Sequence, residues 1–111
     1  MLSQKHRLSK SADVKKTTAR GRSFFNPYFV LKTVPGSEPA RLTVVASVKV
    51  SKKAVDRNRL KRIVRETVRA NITKFKPGNY AVLLKSSAMK ISSAELREQI
   101  LKSLTASKTL Q

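Results

Sequence analysis

Residues 41–72 read RLTVVASVKVSKKAVDRNRLKRIVRETVRANI, a strand pattern followed directly by a helix pattern. Apolar residues stand at alternate positions in 41–50, as expected for a strand with one buried face. In 51–72 they recur instead at the three- and four-residue spacing of a helix, which Ser51 can cap. The apolar arc of this helix consists of Leu60, Ile63, Val64, Thr67 and Val68. The stretch therefore predicts a strand and a long helix that share one core.

The opposite arc of the same helix is strongly basic. Its outward residues are Asn58, Lys61, Arg62, Arg65 and Arg69, flanked by Arg57 and Arg59 and preceded by Lys49, Lys52 and Lys53. Only two acids, Asp56 and Glu66, accompany these cations. Like charges four residues apart on a helix repel each other by about 0.2–0.5 kcal/mol per pair. The pattern therefore predicts that nucleic-acid phosphates supply the missing negative charge, and it disfavours a face that only aids solubility.

The chain before this stretch predicts a helix and extended segments. Ser9 or Ser11 can cap a short helix that runs through Ala19, and Gly21 is placed to end it in a left-handed conformation. Residues 22–27 are expected to be extended, because proline at position 27 disfavours a helix before it.

The remaining elements complete a mixed pattern of strands and helices. Residues 28–34 predict a strand, and the polar loop after it predicts an antiparallel hairpin with 41–50. Residues 80–85 predict a covered strand that follows the long helix, as in a βαβ unit. The last helix is expected to begin with a capping box of Ser92 and Glu95. Its predicted core stripe is Leu96, Ile100, Leu101 and Leu104.

The composition narrows the functional classes. The 111 residues include 25 Lys and Arg against 6 Asp and Glu, and the net charge of +19 indicates a polyanionic partner. The length fits one domain, 1–111, whose ends 1–8 and 107–111 we expect to be flexible. No apolar run is long enough to cross a membrane. Residues 1–22 are basic and rich in Ser and Thr, but they lack the apolar stripe of a transit peptide.

Residues suited to catalysis or metal binding are scarce. Cysteine is absent, which excludes disulfides, thiolate zinc sites and a cysteine nucleophile. His6 is the single histidine, so a two-histidine nuclease mechanism lacks its second imidazole. The acids are scattered, and the pair Glu95 and Glu98 is expected to be a solvated helix face. The residues therefore disfavour a self-contained nuclease, and we expect no metal site in the protein itself.

Four of the six aromatic residues lie close together, at Phe24, Phe25, Tyr28 and Phe29. Aromatic rings on a sheet face can stack on the bases of a single strand. Phe29 is expected in the core, whereas Phe24 or Tyr28 is a candidate for base stacking. Tyr28 and Lys32 are expected to share a strand face, along which an extended nucleic-acid strand could lie.

The sequence Arg57-Asn58-Arg59-Leu60-Lys61-Arg62, after a Val-rich strand and a Lys-rich turn, resembles the Arg-Asn-Arg signature of the bacterial ribonuclease P protein subunit. Weaker matches extend along most of the chain, at His6-Arg7-Leu8, Gly21-Arg22-Ser23-Phe24, Phe29-Val30-Leu31 and Lys76-Pro77-Gly78. The resemblance implies a single α+β domain of α-β-β-β-α-β-α order. It also implies a mixed sheet with a left-handed βαβ crossover, which is a rare handedness.

The resemblance further implies a cytoplasmic protein that assists an RNA enzyme. In that family the RNA subunit cleaves precursor tRNA with bound magnesium ions and releases the 5′ leader, so the protein needs no cofactor and no catalytic residue of its own. The expected partners are this RNA subunit and precursor tRNA, with a protein monomer in a 1:1 ribonucleoprotein and no membrane. The expected RNA-binding residues are Lys49, Lys52, Lys53, Arg57, Asn58, Arg59, Lys61, Arg62, Arg65 and Arg69.

The implied binding site for the single-stranded leader is the cleft between the first helix and the sheet, where this chain departs from the family. Val14 and Thr18 stand where the family usually has aromatic residues, and Lys32 stands where it often has tyrosine. Binding of the leader is therefore expected to depend more on charge and less on base stacking. The expected leader-binding residues are Val14, Thr18, Phe24, Tyr28, Lys32 and Lys49.

Two other functions fit parts of the pattern. A small ribosomal or RNA-chaperone protein could use the same basic helix as a clamp on structured RNA, although the Arg-Asn-Arg arrangement disfavours it. A duplex-DNA binder would need base-reading residues on the outer helix face, where Asn58 alone interrupts the cations.

Overall fold

A computed structural model describes residues 4–36, 38–107 and 109, and it has the predicted α-β-β-β-α-β-α order. The helices are α1 (Ser11–Arg20), α2 (Ala54–Asn71) and α3 (Ser93–Ala106), and the strands are β1 (Arg22–Phe25), β2 (Phe29–Pro35), β3 (Arg41–Val45) and β4 (Gly78–Leu84). Single 3₁₀ turns occupy Gln4–His6, Ile72–Lys74 and Ser86–Lys90. The α+β class predicted from the sequence is confirmed.

The strands form one mixed sheet in the order β1-β2-β4-β3. β2 pairs antiparallel with β1 and β4, and β3 pairs in parallel with β4. The predicted hairpin between 28–34 and 41–50 is therefore wrong, because β4 lies between these strands. β4 takes the central place because it is apolar on both faces, with Tyr80, Ala81 and Val82 all buried. The βαβ unit is confirmed as β3-α2-β4.

Helices cover both faces of this sheet. Leu31 and Val82 pair on the face that carries the main core, where α2 and α3 pack against each other. α1 contacts β2 and β4 on the other face, where Ala81 of β4 and Thr17 of α1 are fully buried. This second face also carries Lys32, which pairs with Ala81.

The junction between α1 and β1 differs from the sequence prediction. Lys10 occupies the N-cap position of α1 without a side-chain capping bond, so neither Ser9 nor Ser11 caps the helix. Gly21 is extended, with φ −64° and ψ 149°, because the chain passes straight into β1 instead of reversing. A glycine is needed there for close packing: a Cβ atom would collide with the Thr17 carbonyl oxygen and lie 3.2 Å from the backbone nitrogen of Thr33.

Strand boundaries also shift from the sequence pattern. The segment expected to be merely extended contains β1, which pairs with β2 from Arg22 to Phe25. β3 ends at Val45 and not at Val50, because a turn follows in which the Val50 N–H donates to the Ser47 carbonyl oxygen over 2.9 Å. Val48, one of the alternating apolar residues of 41–50 that were expected on the buried face, is consequently 66% exposed.

The two long helices follow their sequence patterns except at the start of α2, where Lys53 and not the predicted Ser51 occupies the N-cap position. The predicted apolar arc of α2 is fully buried, and the Ser92 hydroxyl oxygen accepts a bond from the Glu95 N–H over 3.1 Å at the start of α3. The prediction for Leu101 is wrong, because this residue lies at the edge of the buried stripe and is 39% exposed. That stripe comprises Leu96, Ile100 and Leu104.

The chain ends predicted to be flexible contain packed residues. Leu8 is buried, and its N–H donates to the Leu42 carbonyl oxygen over 2.9 Å. Thr109 is buried, and its N–H donates to the Leu104 carbonyl oxygen over 3.0 Å. The other terminal positions, 1–3, 108, 110 and 111, lie outside the described residues. The flexibility of the ends stays a prediction.

Candidate nucleic-acid interface

The outer side of α2 carries a continuous cationic surface, because burial of the apolar arc fixes the rotation of the helix. We call this surface the α2 basic face; it comprises Arg57, Asn58, Arg59, Lys61, Arg62, Arg65 and Arg69. Asn58, Arg62, Arg65 and Arg69 are exposed, whereas Arg57, Arg59 and Lys61 are half-buried along its flanks. The helical phase predicted from the sequence therefore agrees with the structure.

The cations of the α2 basic face form no ion pair within the part of the chain that the structure describes. Glu66 of α2 points to α3 instead, where its Oε2 lies 3.7 Å from Nη2 of Arg97. Asp56 is also engaged elsewhere, because its Oδ2 accepts a bond from the Ser51 hydroxyl over 3.0 Å. The positive charge of this face is thus not neutralised by an ion pair among the described residues.

Arg57 fixes the loop that precedes α2. Its Nη1 donates to the Ser51 carbonyl oxygen over 2.8 Å, and the Ser51 hydroxyl oxygen accepts a bond from the Lys53 N–H over 3.2 Å. These bonds hold Lys52 and Lys53 at the start of the helix, with both residues exposed. Lys49 is exposed in the preceding turn. The predicted RNA-binding residues thus extend from this turn along the outer side of α2.

A cavity of about 220 Å³ extends this surface toward the N-terminal segment. Arg65 lines it together with Arg7, Ser9 and Thr43, and none of the described residues that line it is acidic. Arg7 was not among the predicted site residues, although it belongs to the His6-Arg7-Leu8 match. Its proximity to Arg65 depends on a backbone bridge between Arg7 and Leu42 of β3, which a local sequence pattern does not reveal.

The predicted leader-binding residues are distributed over both faces of the sheet. Lys32 lies on the face covered by α1, and Val14 and Thr18 are half-buried one helical turn apart on α1. Phe24 pairs with Leu31 and packs against the main core, on the opposite face. Tyr28 also packs against the main core, so the expected shared face of Tyr28 and Lys32 is wrong.

Phe25 was not among the aromatic residues predicted to bind the leader. Its side chain is 80% exposed, and it lies across from Val30 on the same sheet face as Lys32. Two adjacent phenylalanines in a strand must point to opposite faces, so the pair itself signals that one of them leaves the core. Which one is exposed depends on the pairing with β2. The structure thus brings Phe25, not Phe24, to the side of Lys32.

The side chains suited to catalysis or metal binding have structural partners or stand apart. His6 Nδ1 lies 2.8 Å from the Ala40 carbonyl oxygen, which ties the N-terminal turn to the start of β3. In the described ranges, no three His, Asp or Glu side chains are grouped where they could hold a metal ion. No helix in these ranges has the length and apolar character needed to cross a membrane.

Comparisons with known proteins agree on one family. A family model described as ribonuclease P matches residues 2–108. The ribonuclease P protein component of Xylella fastidiosa is 39% identical over 82 residues, which cover 74% of this chain and 61% of that protein. The chain therefore spans less than two thirds of the length of this relative. The ribonuclease P protein component of Bacillus velezensis is 32% identical over 101 residues, covering 89% of this chain and 86% of that protein.

Solved structures give the same result for the fold. The RNase P protein of Staphylococcus aureus superposes with a TM-score of 0.89 at 24% identity, covering 96% of this chain and 98% of that chain. The RNase P protein of Thermotoga maritima superposes with a TM-score of 0.79 at 30% identity, covering 90% of this chain and 96% of that chain.

Proposed function

The chain belongs to the ribonuclease P protein family, and we propose that it is the protein subunit of this ribonucleoprotein endoribonuclease, with the α2 basic face bound to the catalytic RNA subunit. The observation that carries the proposal is the absence of ion-pair partners for this face in the described part of the chain. Phosphates bound there would relieve the repulsion between cations one helical turn apart.

In the proposed reaction the RNA subunit cleaves precursor tRNA and the protein supplies no catalytic group. Among the described residues, no three or more His, Asp or Glu side chains are grouped to hold a metal ion, and in this proposal the RNA binds the magnesium ions. The protein's contribution is to neutralise phosphates and to fix their positions. Arginine suits this task because its planar guanidinium binds phosphate oxygens in pairs. The protein thereby lowers the magnesium concentration that the RNA needs for its active conformation.

The single-stranded 5′ leader is proposed to lie on the sheet face that α1 partly covers. Lys32 would bind a leader phosphate there. Val14 and Thr18 of α1 would lie along the leader, and Lys49 would contact one end of it. Phe25 supports this assignment because its exposed ring lies on the same sheet face as Lys32. A base could stack on this ring although the first helix lacks aromatic residues. Phe24 and Tyr28 are less suited, because both pack against the core.

The proposed assembly contains one protein and one RNA subunit and acts on precursor tRNA in the bacterial cytoplasm. The test is a reconstituted reaction with the bacterial RNA subunit, a precursor tRNA and limiting magnesium. Addition of the protein should increase the rate of leader removal, whereas the protein alone should cleave nothing. No increase at any magnesium concentration would contradict the proposal and favour a ribosomal or RNA-chaperone role. Cleavage by the protein alone would refute the assignment of catalysis to the RNA.

A further inference from the structure

A groove runs between β1 and the C-terminal half of α3, from the main-core face of the sheet to its β1 edge, where the exposed Phe25 also lines it. Two cavities of about 350 and 250 Å³ form it, and Phe24 lines both. Arg22 and Lys76 contribute to the larger cavity, and Lys102 contributes to the smaller one. We call it the β1–α3 groove. β1 is the edge strand opposite β3, and α2 packs against β3, so the groove is separate from the α2 basic face.

An arginine stacked on an aromatic ring forms one wall of the groove. The guanidinium carbon of Arg22 lies 5.5 Å from the centroid of the Phe24 ring, a cation–π contact. Phe24 packs against the main core, whereas Arg22 is exposed. The core therefore supports the ring from below, and the ring in turn orients the guanidinium. Nucleic-acid bases stack on guanidinium planes that are held in this way.

The opposite wall is fixed by hydrogen bonds around Lys76. The Lys76 N–H donates to the Thr109 carbonyl oxygen over 2.9 Å, and the Tyr80 hydroxyl donates to the Lys76 carbonyl oxygen over 2.5 Å. Burial raises the pKa of Tyr80, so this hydroxyl remains a donor at neutral pH. The Ser107 and Thr109 hydroxyls lie 2.7 Å apart beside them. This wall presents the exposed Lys76 side chain above a fixed backbone.

The charge of the groove selects an anion. None of the described residues that line the two cavities is acidic. Glu98 lies nearby, but it is paired with Lys102 over 3.2 Å in an exposed contact. Each cavity is near or below the lower end of the range for small-molecule pockets, about 300–1,000 Å³, so each suits a single nucleotide and not a duplex.

We propose that the β1–α3 groove is a second RNA site, which binds a single-stranded segment with a base on the Arg22–Phe24 pair and a phosphate at Lys76. The combination of a supported guanidinium, a fixed lysine and an acid-free lining carries this assignment. The site does not depend on the function of the α2 basic face.

The test uses the whole protein and a short oligouridine that carries 4-thiouridine, with crosslinks mapped by mass spectrometry and affinity measured at fixed salt. Crosslinks are expected at residues 22–24, and Arg22→Ala with Lys76→Ala should lower affinity about tenfold and remove them. Lys16→Ala with Lys90→Ala removes the same charge from exposed residues outside the groove and should preserve both signals. Equal losses in the two double variants, or crosslinks only elsewhere, would overturn the proposal.

Two further variants distinguish base stacking in the groove from a loss of the fold and from binding at the α2 basic face. Phe24→Leu keeps an apolar side chain against the core and should lose the crosslink while the thermal melting curve stays cooperative. Arg62→Ala with Arg65→Ala should keep the crosslink at 22–24 even though it weakens the α2 basic face. An acidic peptide of matched charge should not compete for the groove, and full competition by that peptide would contradict base stacking.

Discussion

The Glu66 carboxylate lies 3.7 Å from the Arg97 guanidinium, so an acid of α2 serves the contact with α3 instead of neutralising the helix's own cations. Both side chains are nearly half exposed, at 47% and 46%. An ion pair this exposed stabilises a protein by less than about 1 kcal/mol. Its main consequence is electrostatic: it leaves the cations of α2 without a carboxylate partner on their own helix.

Glu66→Gln should therefore strengthen RNA binding, whereas substitution of a cation on the α2 basic face should weaken it. The variant removes a negative charge near the α2 basic face, so RNA affinity should rise at low salt. The free energy of unfolding should change by less than about 1 kcal/mol. Filter binding and denaturant melts measure the two effects. Glu95→Gln is the matched control, because it removes the same charge from an exposed residue of α3 that lines neither proposed RNA surface, and it should leave RNA affinity unchanged.

Arg57→Lys should weaken RNA binding although it keeps the charge. A lysine cannot reproduce the planar donor group that binds the Ser51 carbonyl oxygen over 2.8 Å. Loss of this bond should loosen the loop with Lys52 and Lys53 and lower stability by about 1 kcal/mol. Arg62→Lys is the comparison, since Arg62 is exposed and has no such loop contact to lose. Equal stability of the two variants in a thermal melt would contradict the anchoring role of Arg57.

Gly21→Ala should destabilise the fold by about 1–3 kcal/mol, the range for overpacking a close contact. The added Cβ would meet the Thr17 carbonyl oxygen and the backbone of Thr33, so α1 would have to shift away from the sheet. Gly36→Ala is the control, because a Cβ there would lie 3.5 Å from the Cα of Gly78, an ordinary contact. Chemical denaturation of both variants compares them directly. Similar midpoints would show that the junction tolerates a side chain.

Phe25→Ala should reduce the affinity for precursor tRNA in complex with the RNA subunit while leaving the affinity for mature tRNA unchanged. Stacking on an aromatic residue contributes about 1–3 kcal/mol per base. The ring is 80% exposed, so the free energy of unfolding should hardly change. Phe25→Tyr keeps a ring and should retain the preference for the leader. An equal loss for both tRNAs would remove Phe25 from the leader site.

Local sequence patterns predicted the helices better than the sheet. The spacing of Leu60, Ile63 and Val64 fixes the buried side of α2 without knowledge of the rest of the fold. The order of the strands depends on contacts between distant segments, so the antiparallel hairpin predicted from a short loop was wrong. The apolar character of both faces of β4, at Ala81 and Val82, was the available sign of a central strand.

The same distinction applies to the candidate site. The outward cations of α2 were predictable, because helical periodicity alone determines their direction. Which of Phe24 and Phe25 is exposed was not predictable, because it depends on the register that pairs Phe24 with Leu31. Arg7 was missed for a related reason, since it reaches the cavity beside Arg65 through a bridge to a strand far away in the chain.

The salt dependence of binding to the RNA subunit tests the central claim most directly. The measurement compares the unchanged protein with the double variant Arg62→Ala with Arg65→Ala. Both residues are exposed, so the double variant should fold normally by thermal melting. Each phosphate contact contributes about 0.7–0.9 to the slope of log K against log salt concentration. The slope of the double variant should therefore be smaller in magnitude by about 1.4–1.8. An unchanged slope in a folded variant would show that the α2 basic face does not bind RNA phosphates.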